Sequence, residues 1–133
     1  MSGETQTHVD LVRQVASVIL FRHSHLYSFT ILIDLPEFGL NRPGRIGGFE
    51  PDVLGRDCPE TTLAIGEAKT AFDFDTAHSQ AQIAAFLKRL TLSENGFFYL
   101  SVPQHLIIHA RNRISSTISE NGWLNINFEV IGG

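Results

Sequence analysis

The stretch from 49 to 69 decides the fold: Phe49-Glu50-Pro51-Asp52-Val53-Leu54, then Gly55-Arg56-Asp57-Cys58-Pro59-Glu60-Thr61, then Thr62-Leu63-Ala64-Ile65-Gly66-Glu67-Ala68-Lys69. The first and third pieces read as short strands, and the middle piece, with Gly55 and Pro59, reads as a turn. Two strands joined this closely predict a hairpin. Side chains alternate across a strand, so Leu63, Ile65, Glu67 and Lys69 share one face and Thr62, Ala64, Gly66 and Ala68 share the other. The second face is all small, which suits close packing of a helix or another layer. The first is an apolar row continued by a Glu and a Lys, which places those two at the margin of a core. Pairing the hairpin brings Asp52 next to Glu67.

Two adjacent carboxylates repel unless something positive sits between them. A divalent cation does this well. Mg²⁺ takes oxygen ligands, usually one or two carboxylates plus waters and substrate phosphate. Asp52 and Glu67 are the candidate metal ligands, and the backbone carbonyl of Ala68 offers a third oxygen. Lys69 beside such an ion can orient or deprotonate a water and neutralise charge developing on a phosphate. Alone, Glu67 and Lys69 would be an ordinary surface pair worth about 0–1 kcal/mol. It is their register with Asp52 that points to phosphodiester hydrolysis.

Working outward, the chain alternates helical and strand patterns. Thr5 to Arg22 has Val12, Val15 and Ile19 at helical spacing. Tyr27 to Asp34 alternates as a strand. A second helix is expected from Asp75, its plausible N-cap, to Leu90, with Ile83, Phe86, Leu87 and Leu90 as its stripe. Asn95-Gly96 is expected to turn into a strand at Phe97 to Val102. Pro103 suits the first turn of a third helix that ends at Asn121-Gly122. Trp123 to Ile131 alternates apolar and polar, as an edge strand does. The expected order is α-β-β-β-α-β-α-β, an α/β class with a mixed sheet flanked by helices. At 133 residues the chain, 1–133, is expected to be a single domain.

Pro51-Asp52, the fifteen residues from Asp52 to Glu67, and Glu67-Ala68-Lys69 resemble the signature of the PD-(D/E)XK nuclease superfamily, which includes type II restriction enzymes and Holliday junction resolvases. The resemblance covers about 5 to 102. Many members carry a glutamine at the start of the next helix in a Q-x-x-x-(Y/F) pattern, and Gln82-Ile83-Ala84-Ala85-Phe86 matches it, with Gln80 as a nearby second candidate. The resemblance implies a restriction endonuclease-like sheet, Asp52 and Glu67 as metal ligands, Lys69 as the catalytic lysine and Gln82 as its assistant. It also implies Mg²⁺ or Mn²⁺ as cofactor. Members often have an acidic residue on the first helix, for which Glu4 and Asp10 are the only candidates.

Ten Lys and Arg stand against 14 Asp and Glu, a net charge of −4 that counts against a nucleic-acid coating protein. It does not count against an acidic catalytic centre. Arg42 and Arg45, in a loop from Glu37 to Gly48 with four glycines, and Arg56 are the candidate phosphate contacts, with Lys88 and Arg89 behind them. His105 and His109 lack the Glu that a zinc-protease helix places after its first His. No apolar run approaches the roughly 20 residues of a membrane span. One cysteine, Cys58, and polar residues after Met1 lead to a cytoplasmic expectation.

The expected function is divalent-metal-dependent hydrolysis of DNA, including branched or damaged DNA. The alternative is a catalytically silent module of the same fold that binds nucleic acid or a partner protein. A chain this short has little room for a sequence-reading domain, so a homodimer or a partner subunit is expected to supply target choice.

Overall fold

The first helix starts where Thr5 caps it. Thr5 Oγ1 accepts a hydrogen bond from the His8 amide at 3.1 Å, satisfying one of the orphan donors of helix α1 (Gln6–His23). In the computed structural model, which describes residues 5–133, the remaining elements follow as β1 (Thr30–Ile33), β2 (Val53–Arg56), β3 (Thr62–Ala68), α2 (Ala77–Leu90), β4 (Asn95–Val102), α3 (Ile107–Asn121) and β5 (Ile126–Gly132). The protein is α/β, with one five-stranded mixed sheet in the order β1-β2-β3-β4-β5. β1, β2 and β3 pair antiparallel; β3, β4 and β5 pair parallel.

The sheet is covered on both faces. Helix α1 lies against one, where Val12, Val15 and Ile19 pack with Val53, Ala64 and Ala68. Helices α2 and α3 cover the other, where Ile83, Phe86 and Ile114 pack with Leu54, Leu63 and Ile65. The small face of β3 is what admits α1. A Cβ added at Gly66 would sit 2.9 Å from Ile19 Cδ1 and 3.1 Å from Val15 Cγ2. Both crossovers, β3-α2-β4 and β4-α3-β5, run over the same face. Right-handed connections give this result when the strand order advances in one direction. No described helix is long and apolar enough to cross a membrane.

Several boundaries differ from expectation, each for a local reason. The first strand is Thr30–Ile33 rather than Tyr27 to Asp34, because Ser28 takes φ +50° and bends the approach. The second begins at Val53, not Phe49. Pro51 has no N–H for a ladder, and Phe49 instead closes a turn with Ile46 through two backbone hydrogen bonds of 2.6 and 3.1 Å. Asp52 thus stands just ahead of β2. Thr76, not Asp75, caps α2, accepting from the Ser79 amide at 3.1 Å, while Asp75 faces His109 Nε2 at 2.9 Å. Asn95-Gly96 is the first pair of β4 rather than a turn. Gly96 is needed there because a Cβ would lie 2.8 Å from the Leu90 carbonyl oxygen. A 3-10 turn, Gln104–Leu106, separates Pro103 from α3. β5 begins at Ile126, after Asn125 with φ +64°, and lies at the sheet edge.

Candidate active site

The hairpin sets Asp52, at the entrance of β2, beside Glu67, near the exit of β3. Each carboxylate is held by the backbone of the other strand. The Asp52 amide donates to Glu67 Oε1 at 2.9 Å, and the Ala68 amide donates to Asp52 Oδ2 at 2.8 Å. Val53 pairs with Gly66, so one step further the strands no longer bond backbone to backbone, and the two side chains take over the ladder. Lys69 continues the face of Glu67. Its Nζ lies 3.3 Å from Glu67 Oε2 and donates to Gln82 Oε1 on α2. All three charged side chains are buried, Glu67 most of all at 2% exposure.

Burial, and then the negative charge of Asp52, push the Glu67 carboxyl well above its ordinary range. The Lys69 ammonium and the Asp52 amide pull the other way. A buried carboxyl raised by a second carboxylate is an arrangement that a cation would relieve. Among the described residues, no group of three or more His, Cys, Asp and Glu forms a metal cage. The donor set is nevertheless of the kind Mg²⁺ accepts. Two carboxylates and a backbone carbonyl are hard oxygens, and that ion leaves its other positions to water and phosphate.

The other candidates divide. Gln82 is at the site, but Gln80 is not, because its amide donates to the Phe74 carbonyl oxygen at 2.6 Å. Glu4 lies outside the described residues. Asp10 is exposed on α1 and accepts from Gln6 Nε2 at 2.8 Å. Arg42 is occupied with the Gly39 carbonyl at 2.8 Å and Asp34 at 3.4 Å. Arg45 and Arg56 meet in a small cleft with Arg89, apart from Arg42.

His8 was not foreseen as a site residue. Its Nε2 lies 3.7 Å from Asp52 Oδ1. A separate cleft of about 640 Å³ has His8, Thr70, Phe72, Asp73 and Pro103 among its walls, and reaches the site residues only through His8, beside Asp52, and Thr70, which follows Lys69 in the chain. Nothing local in Thr7-His8-Val9 marks that histidine. Its position depends on where the first turn of α1 passes the end of the sheet.

Chemically, the arrangement can hold a hard cation, present an ammonium to an anion or a water, and admit a substrate from the adjoining cleft. Comparison with known protein families, with curated proteins and with solved structures returns no match. The geometry therefore carries the functional reading.

Proposed function

We propose that the chain is a divalent-metal-dependent nuclease of the PD-(D/E)XK type, with a restriction endonuclease-like sheet, hydrolysing DNA phosphodiester bonds. The observation that carries this reading is the convergence of Asp52, Glu67 and Lys69, at the adjoining ends of β2 and β3, with Gln82 of α2. Asp52, Glu67 and the Ala68 carbonyl would hold Mg²⁺ or Mn²⁺. When bound, that ion supplies Lewis acidity towards the scissile phosphate and lowers the pKa of a water.

The chain's own residues do the rest. Lys69 is fixed by Glu67 on one side and Gln82 on the other, so its ammonium cannot swing away from the reaction centre. It orients the attacking water and offsets negative charge gathering on the phosphoryl oxygens. Gln82, through its oxygen, holds Lys69 in place and is a positioning residue. Arg45 and Arg56 contact backbone phosphate, and a second copy or a partner subunit selects the target.

The test is cleavage of single-stranded, double-stranded and branched DNA by the purified protein with Mg²⁺ or Mn²⁺. Lys69→Ala is expected to lose about 10²–10⁴-fold in rate, and Gln82→Ala about 10–100-fold. Metal-dependent cleavage that persists unchanged in Lys69→Ala overturns the assignment.

A silent binding module is the second reading, favoured by the net charge of −4. Calorimetry separates the two. Metal binding that is lost in Asp52→Asn supports the nuclease, and a parent that binds no metal supports the module.

A further inference from the structure

The layer between the sheet and α2 has a second polar end. Leu54 and Arg56 share a face of β2, and Leu54 is core beneath α2, so Arg56 continues that row outwards. Gln82 and Arg89 are seven residues apart on α2, close to two turns, and so lie on one side of it. The two ends of the layer are thus the carboxylate site, with Gln82, and an arginine cluster.

At the arginine end a cleft of about 190 Å³ is walled by Arg45, Arg56 and Arg89, with Leu54 and Leu63 as its apolar part. Glu60 is the one acid among its lining residues. It stands 3.6 Å from Arg89, a loose pair. Arg45 donates to the Gly48 carbonyl at 2.5 Å, and Arg56 has no carboxylate partner among the described residues. Three other arginines sit on carboxylates, Arg13 on Glu37, Arg22 on Glu129 and Arg42 on Asp34. Three arginines and a single carboxylate, itself near Arg89 alone, leave the lining of this cleft net positive, a setting that suits an anion.

We infer that Arg45, Arg56 and Arg89 form a subsite for one backbone phosphate of a DNA strand that also crosses the carboxylate site. The nature of the anion rests on the nuclease reading; the pocket itself does not. Seven residues of helix span about 10 Å. The pocket therefore takes a phosphate within a few nucleotides of the scissile one on the same strand.

The test is binding of a fluorescein-labelled DNA duplex and its single strand in EDTA, read by anisotropy from 25 to 200 mM salt. The double variant Arg56→Gln, Arg89→Gln is expected to bind about tenfold more weakly and to flatten the slope of log K against log salt by about one. The double variant Arg13→Gln, Arg22→Gln, on helix α1, removes the same two charges and is the control, expected to stay within about twofold because neither residue lines the cleft. Glu60→Gln removes the competing carboxylate and is expected to bind more tightly, a gain that misfolding cannot mimic. A double variant matching the parent in affinity and slope, a parent that does not bind DNA, or a Glu60→Gln that binds more weakly overturns the subsite. Because the readout needs no metal, a parent that binds through the pocket but does not cleave with Mg²⁺ or Mn²⁺ leaves the subsite standing and removes only the hydrolysis.

Discussion

Asp52 and Glu67 show how one residue's placement sets another's chemistry. Glu67 is nearly sealed from water, and its neighbour is a second carboxylate. Its carboxyl is therefore raised in the folded protein relative to about 4.5 in the unfolded chain. Below that value both states are protonated and the pair costs nothing. As pH rises, the unfolded chain releases its proton first, so folded stability falls until the folded carboxyl also ionises. Asp52→Asn keeps the oxygen that accepts from the Ala68 amide and removes the repulsion. In EDTA at pH 7 to 8 it is expected to raise the melting temperature by roughly 3–5 °C, a gain that shrinks towards zero near pH 4.5. A melt that is unchanged at pH 8 would falsify this account of the pair. In the sequence Asp52, Glu67 and Lys69 were legible, because strand alternation and hairpin pairing are local rules. His8 was not, because no local pattern states what the first turn of a helix will pass.

At the scale of elements, β3 carries two opposite demands on its two faces. One face must be small to admit α1, and the other must deliver Glu67 and Lys69 to α2. Gly66 is the tightest point of the first. An added Cβ would lie 2.9 Å from Ile19 Cδ1 and 3.1 Å from both Val15 Cγ2 and Val53 Cβ. Gly66→Ala is expected to cost about 1–3 kcal/mol by overpacking, read as a lower urea midpoint with unchanged slope. Full stability in that variant would mean that α1 does not pack as described. The hairpin, the helices and the edge position of the last strand were readable from periodicity. The starts of β2, α2 and β4 were not. At each, competing local chemistry decided: the missing N–H of Pro51, Thr76 against Asp75 for the cap, and a glycine needed for packing rather than for a turn.

For the whole molecule, the acidic balance and the buried carboxylate pair lead to one expectation. A ligand that binds only the folded state stabilises it by mass action, about 2.7 kcal/mol at a hundredfold excess over its dissociation constant. Mg²⁺ or Mn²⁺ at millimolar concentration is expected to raise the parent's melting temperature and to leave Asp52→Asn unmoved. Equal shifts in both proteins would place the ion elsewhere. The same balance makes the distribution of the arginines matter more than their number. Three are tied to carboxylates on the surface, and three meet in one cleft.

By itself the sequence determined the α/β class, the order of the elements and the hairpin that pairs Asp52 with Glu67. Those follow from the periods of strand and helix and from a turn short enough to pair the two strands it joins. Only the tertiary structure decided that Gln82 rather than Gln80 meets Lys69, that His8 rather than Asp10 stands by Asp52, and that Arg89 joins Arg45 and Arg56. Each of those choices depends on the rotation and path of a helix over the sheet. That placement is set by the summed packing of both cores, and no short stretch of sequence records it.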